Sequence, residues 1–365
     1  LVARYDQVDA VFRDPETFAA ANAQDPLQPI DPDAAAVLAG GFRPIRTMSN
    51  LDGPDHTRIR RHNLVGFSPR RLRALEPVVR ATAVELVDAL PKAGPADLVE
   101  RLTHPLPASI IFSLLGFPPE DTPMLKGWCG DRLAFSWGRP DRDQQLAIAE
   151  DLVAYYRYCE AYVQGQLGDP GDHFTGDLLR IHLDDPETLT LAEVTHIVYG
   201  LSFAGHETTT NQLSNTVRRL LEDRSRWERL VADPALIEAA VAEGLRHDSS
   251  VVVWRRITTR PTRLGDTELP EGARLLLLLG AANHDPRRFG APGDFDIDRP
   301  NAADALSFGR GRHYCLGATL AKLEVAVVLE ELAMRRPTMR LVDQLLDFSP
   351  NVSFRGPQRL LVAFG

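Results

Sequence analysis

Cysteine is scarce in this chain, with three among 365 residues, at Cys129, Cys159 and Cys315. So few, so widely spaced, cannot build a disulfide scaffold, and the usage fits a reducing cytoplasm. Long apolar runs are missing as well. The longest, Leu275 to Leu279, falls far short of the roughly 20 residues needed to cross a bilayer. No basic-then-apolar leader opens the sequence, so no signal peptide is expected; the first residue is Leu1 rather than Met. Linkers rich in Gly and Ser, low-complexity tracts and internal repeats are also lacking, which leaves one domain over residues 1–365. Excess positive charge is absent too. A net charge of −9 argues against non-specific binding to nucleic acid, whose phosphates need a basic surface.

What is present is enough to fold unaided. With 44% hydrophobic and 25% charged residues the chain can bury a large core. Apolar residues recur at spacings of three and four over Leu72 to Leu90, Gln144 to Gln166, Leu191 to Asp223, Ala235 to Arg246 and Ala318 to Met334, which predicts helices. Thr190-Leu191-Ala192-Glu193 has the form of a capping box that starts the long central helix. Strand signals are fewer and late: Arg256 to Leu264, Ala273 to Leu279 and Arg359 to Phe364. The stretch from Asn283 to Pro300, rich in Pro and Asp, reads as an irregular meander. The fold class is therefore mainly α with small β-sheets. Against the acidic whole, Arg58, Arg60, Arg61, Arg70, Arg71 and Arg73 crowd one region relieved only by Glu76. Two readings stand: a solvated helix face, or a dock for an acidic partner.

The chemistry concentrates in Phe308-Gly309-Arg310-Gly311-Arg312-His313-Tyr314-Cys315-Leu316-Gly317, which runs straight into a helix. Three glycines in ten residues require backbone of positive φ or a close approach. Cys315 then stands at a helix N-terminus, where amide N–H groups and the helix dipole favour thiolate. A thiolate held this way suits the axial position of a haem iron. A lone cysteine is ordinarily a small buried hydrophobe. Cys159, on one face with Leu152, Tyr155 and Tyr162, fits that description; Cys315 does not.

This segment closely resembles the haem-binding loop of the cytochrome P450 haem-thiolate monooxygenases, above all their soluble bacterial members, and the resemblance extends over essentially the whole chain. It implies a triangular helical domain with its long central helix passing over haem b, and Cys315 as the iron ligand with Phe308 and Gly309 beside the cofactor. Glu243 and Arg246, three apart on one helix face, resemble a buried family pair completed from the meander, by Arg299 or by Asn301, that holds the Cys315 loop. Ala204-Gly205-His206-Glu207-Thr208 resembles the point where the central helix widens over the haem to admit dioxygen. Glycine inside a helix costs about 1 kcal/mol against alanine, so Gly205 serves either that widening or the approach of another helix. The resemblance makes Thr208 the hydrogen-bonding partner of bound oxygen, Glu207 a proton relay, and His206 structural. It also assigns His56, Arg60, Arg256 and His313 to the haem propionates. Arg260-Pro261 stands where the family usually carries an acidic residue, a departure that bears on the local strand.

By the same resemblance, Arg58, Arg61, Arg70, Arg71, Arg310 and Arg312 would surround the face beside Cys315, where an acidic ferredoxin or flavodoxin-type reductase would deliver electrons. Pocket segments would be the loop before Asp52, Trp128 to Trp137, Tyr199 to Ala204, Val251 to Val253 and Asn351 to Phe354. They are mostly apolar or aromatic with no obvious charged anchor, which implies a small, neutral, hydrophobic substrate. Trp254-Arg255-Arg256-Ile257-Thr258-Thr259-Arg260-Pro261 and Ser353-Phe354-Arg355-Gly356-Pro357 are similar to a subgroup fused to a flavin and iron–sulfur reductase. A reductase-fused protein and a free-standing relative both remain open, and further residues are expected ahead of Val2. The expected activity is dioxygen-dependent monooxygenation. The alternatives are a peroxide-driven oxygenase, a non-oxygenating haem-thiolate isomerase or dehydratase, a haem sensor, or a colourless enzyme with one reactive cysteine.

Overall fold

A computed structural model describes residues 1–129 and 132–365. Helices dominate, and many begin where the sequence supplies a cap or a proline. In chain order they are α1 (Tyr5–Arg13), α2 (Pro32–Gly41), α3 (Gly53–Asn63), α4 (Pro69–Asp88), α5 (Pro105–Leu115), α6 (Thr122–Cys129), α7 (Arg132–Trp137) and α8 (Arg142–Gly165). They continue with α9 (Phe174–Asp184), α10 (Leu191–Ala204), α11 (Glu207–Glu222), α12 (Arg224–Ala232), α13 (Ile237–His247), α14 (Leu279–Ala282) and α15 (Ala318–Arg335). Proline in the first turn of α2, α3, α4 and α5 presets φ where no N–H is needed. The capping box predicted at Thr190 forms: its hydroxyl accepts the Glu193 N–H at 3.2 Å, and Glu193 accepts the Thr190 N–H at 2.8 Å.

The expected central helix is two. It breaks after Ala204 and resumes at Glu207, leaving Gly205 and His206 between α10 and α11. Most of the core lies around this pair, in a cluster that runs from Ile59 through Leu213 and Val328 to Phe364. α15 packs along α4 and touches α11 and α13, so the helix that follows Cys315 is anchored on three sides.

The sheets are small and peripheral. β1 (Phe18–Ala19), β3 (Trp254–Thr258) and β6 (Arg274–Leu277) form one antiparallel sheet, with Arg256 opposite Leu275. β2 (Gly94–Asp97), β8 (Leu361–Phe364) and β7 (Arg340–Leu341) form a second, and β4 (Thr262–Leu264) with β5 (Thr267–Leu269) a hairpin. The single strand expected over Arg256 to Leu264 is thus divided at Arg260-Pro261, because proline has no N–H to continue a ladder. Arg260 departs from the family pattern without disturbing β3. Its guanidinium donates to the Thr17 hydroxyl at 2.7 Å, and the Thr259 N–H to the Thr17 carbonyl at 2.9 Å. Among the described residues no helix is long and apolar enough to cross a membrane.

Candidate active site

The Cys315 loop is built by glycine and then clamped. Gly309 and Gly311 both have φ of 67°, in the left-handed region. A Cβ on Gly311 would stand 2.7 Å from the Phe12 carbonyl oxygen, so this position also needs glycine for the approach of α1. The Cys315 N–H donates to the Phe308 carbonyl at 2.9 Å and closes the turn. Phe308 lies under Lys322, whose ammonium is 5.6 Å from the ring centre.

Beneath the loop, Glu243 and Arg246 are both fully buried. Arg246 donates to both carboxylate oxygens, at 2.7 and 2.6 Å, and to the carbonyls of Asn283, Pro292 and Asp294. Of the two candidates for the third member, Arg299 takes the place, 3.2 Å from Glu243. Asn301 turns instead to the Arg288 carbonyl. Spacing could not decide between them, since both lie in irregular chain. Ser307 bonds the Leu245 carbonyl at 2.6 Å and receives the Asn283 amide at 2.9 Å, which joins α13, the meander and the loop in one network.

Cys315 has accessible surface although protein surrounds it closely, and it is the enclosure that governs its charge. Burial pushes the thiol above its ordinary value. The N–H groups of Gly317 and Ala318 and the Arg60 guanidinium work against that and only partly offset it. The helix start therefore helps the thiolate, but less than the sequence led one to expect. A metal ion would complete the deprotonation.

The four side chains assigned to the propionates do converge. The His56 and His313 rings are 4.3 Å apart. Arg60 is close enough to Cys315 and His56 to influence both, while donating to the Tyr314 carbonyl at 2.7 Å. Arg256 is buried against Phe12; burial lowers it to about 10 despite the nearby Asp52 charge. Among the described residues neither ring nitrogen of buried His56 has a hydrogen-bond partner, a costly condition. Burial first, then the charges of His313 and Arg60, hold His56 down to about 4, so it is a neutral imidazole with one N–H to give. An unsatisfied donor flanked by two guanidiniums and a second imidazole suits carboxylates. With the thiol and its two amide N–H groups, the donor set fits haem b.

Asp52 escaped the sequence reading. It accepts from the Ala20 N–H at 2.7 Å and lies 2.9 Å from His313 Nε2. Burial alone would raise this carboxyl, but the bonds from His313 and Ala20 and the Arg256 charge bring it below its ordinary value. Its place at the N-cap of α3, four residues before His56, was the available signal.

At the helix break, Thr208 Oγ1 donates back to the Ala204 carbonyl at 3.0 Å and Thr209 Oγ1 to that of Gly205 at 3.4 Å. Hydroxyl bonds of this kind loosen the ladder. A Cβ on Gly205 would run into Ile111 of α5, so the approach of a second helix accounts for this glycine. The helix is also interrupted there, between Ala204 and Glu207. His206 is buried, with Nε2 3.9 Å from Glu207 Oε2.

Of the expected pocket segments, those at Trp137, Val251 and Phe354 meet, Val251 forming a β-bridge with Phe354; Gly130 and Asp131 lie outside the described residues. Trp137 stacks on Trp254 with ring centres 5.3 Å apart and meets Phe354 edge-on at 6.2 Å. The Arg255 guanidinium covers Trp137 at 3.8 Å and donates to the carbonyls of Asp25 and Ser136. Arg255 is thus a buried cation beside these rings, outside the segments read as free of a charged anchor, and carbonyls and a ring already hold it. The arginine cluster is divided in a similar way. Arg58 pairs with Glu193, Arg71 with Asp177 and Arg312 with Glu16, and Arg310 donates to the Asp304 carbonyl. Arg61, Arg70 and Arg73 stay exposed.

Known proteins match this arrangement along the full chain. A family model described as cytochrome P450 matches residues 166–335. The steroid C26-monooxygenase of Mycobacterium tuberculosis is 32% identical over 363 residues, covering 97% of this chain and 96% of that protein. The solved structure of cytochrome P450 CREJ in complex with (4-ethylphenyl) dihydrogen phosphate is 38% identical with a TM-score of 0.96, covering 100% of this chain and 91% of its own. An intact type IV self-sufficient cytochrome P450 monooxygenase is 39% identical with a TM-score of 0.96; the match covers 100% of this chain and 48% of that one.

Proposed function

From the premise that the chain belongs to the cytochrome P450 family of haem-thiolate monooxygenases, we propose that Cys315 would hold the iron of haem b and that the Ala204–Thr208 break would be the oxygen site. The observation that carries this reading is the Cys315 setting: a lone thiol receiving two amide N–H groups, beside an orphaned, buried His56. Haem bound there supplies activation of dioxygen with two electrons from a redox partner, one oxygen atom entering the substrate and the other leaving as water.

The protein's own groups bind, orient and deliver protons. His56, Arg60, Arg256 and His313 would hold the two propionates, and Phe308, Gly309, Ala204 and Gly205 would wall the cofactor. Thr208, whose hydroxyl donates to the Ala204 carbonyl, would be free to turn that donor to oxygen, and Glu207 would pass protons to it. A ferredoxin- or flavodoxin-type reductase, separate or fused, supplies the electrons. The substrate is small, neutral and hydrophobic, with the Trp137, Trp254 and Phe354 rings favouring an aromatic one. That Arg255 is already held by two carbonyls and a ring supports neutrality, since this buried cation is not free to hold an anionic substrate. One domain over residues 1–365 carries the activity, and three free cysteines suit the cytoplasm.

The deciding test is the optical spectrum of the reduced holoenzyme under carbon monoxide. A strongly red-shifted Soret band that disappears in Cys315→His is expected; a band at the shorter wavelength of imidazole ligation in the parent protein would sink the assignment. Thr208→Ala is expected to keep that band but to divert electrons into peroxide, and coupled turnover in this variant would remove the role given to Thr208.

A further inference from the structure

One face of α11 carries a polar row that the scheme above leaves without a role. Asn211, Gln212, Asn215 and Arg218 are buried there at helical spacing, with Arg219 beside them. Against them stands Asp248, 4% exposed, at the C-terminal end of α13. One oxygen of its carboxylate pairs with Arg218 and with Arg219, the latter at 3.0 Å, and the other with Arg355 at 3.4 Å. Its backbone carbonyl accepts from the side-chain amides of Asn215 at 3.2 Å and Gln212 at 3.4 Å. Glu222 pairs with both arginines of α11.

Two segments of the pocket wall hang from this junction. Gln212 accepts the Ser250 N–H at 3.0 Å, and the Asn215 amide donates to the Arg355 carbonyl at 2.8 Å. The segments then hold each other. The Arg355 N–H donates to the Ser250 carbonyl at 2.9 Å, the Val252 N–H to the Ser353 carbonyl at 2.8 Å, and Val251 bridges to Phe354. A Cβ on Gly356 would stand 2.1 Å from Asn211 Oδ1, so the second segment lies directly on α11. Residues 251–253 and 351–354 are outside the named strands. Side-chain bonds, rather than a sheet ladder, therefore set their distance from α11, the helix that begins beside Thr208.

We propose that Asp248 and Arg355 are positioning residues that fix the wall at Val251 and Phe354 relative to the oxygen site, and so decide which substrates are accepted. A carboxylate shared by three guanidiniums fixes direction as well as distance, and small displacements of a bound substrate are costly to its reaction. The inference rests on the haem reading above and adds to it a determinant of specificity outside the pocket.

The test uses holoenzyme and two probes that bind ferric haem iron through a ring nitrogen and shift the Soret band. Imidazole is small enough to bind without reaching the wall, whereas the phenyl ring of 4-phenylimidazole extends into the pocket. The Arg355 side chain is 43% exposed, so loss of its ion pair costs little stability. Arg355→Met keeps a stem to cover Phe348, on which the guanidinium lies. In this variant the affinity for 4-phenylimidazole should fall about fivefold relative to that for imidazole, with the melting temperature nearly unchanged. Asp248→Asn should lower the ratio further, and the double variant should be no worse than Asp248→Asn alone, because both act through one contact. An unchanged ratio in Arg355→Met, equal losses for the two probes, or additive losses in the double variant would each overturn the positioning role. If imidazole fails to move the Soret band of the wild type, the haem reading itself falls; if it moves the band and the ratio stays constant, only the present inference does.

Discussion

His104 and His206 are histidines that the fold keeps neutral, at about 4 against an ordinary 6.5. Between those values the unfolded chain binds protons that the folded chain refuses. Stability from this source is therefore complete above about pH 6.5 and is lost as pH falls towards the folded values. Denaturant titrations across this window should show stability falling with pH. His104→Gln should make the slope shallower by one proton, about 1.4 kcal/mol per pH unit at most. An unaltered slope would mean that His104 is charged or solvated in the native protein. Asp52 adds a contribution of the same sign lower on the scale, because its carboxyl lies below its ordinary value and the benefit disappears as it protonates.

Secondary elements meet at a few contacts whose failure has a defined size. Gly205→Ala would force Ile111 of α5 from the break between α10 and α11, at a cost of about 1–3 kcal/mol. Pairing it with Ile111→Ala should recover part of the loss, and additive losses in a double-mutant cycle would mean the helices do not meet as described. Arg246→Leu leaves Glu243 with Arg299 as its remaining ionic partner and takes the donor from the carbonyls of Asn283 and Pro292, a loss worth about 3–5 kcal/mol in a buried network. The expected result is poor haem retention together with a lowered melting temperature; wild-type retention would separate the network from the loop. Much at this scale was legible in the sequence. Thr190 and Glu193 announced the start of α10, and the glycines of the Cys315 loop announced its positive φ, because both signals are local. The identity of Arg299 as third partner, and Asp52 against His313, were not legible. Those contacts span 56 and 261 positions of chain, and no spacing rule reaches that far.

The molecule as a whole is acidic, at −9, yet it shows a basic face. Arg61, Arg70 and Arg73 stay exposed there around Leu64 and Val65, which are 49% and 45% exposed. An apolar centre with a cationic rim suits an acidic electron donor. Reversing Arg61 and Arg70 to Glu should slow first-electron transfer about tenfold at low salt and flatten its salt dependence; unchanged reduction kinetics would move the dock elsewhere. Arg71 is the wrong choice for that experiment, since it is committed to Asp177. At the opposite extreme from this exposed face, Trp137 and Trp254 stack within the pocket wall under the Arg255 guanidinium. Two of the chain's four tryptophans thus form an excitonically coupled pair with a cation alongside. A circular dichroism couplet from this stack is expected to weaken wherever the Trp137 and Trp254 rings part, an optical gauge of this wall readable without any added dye.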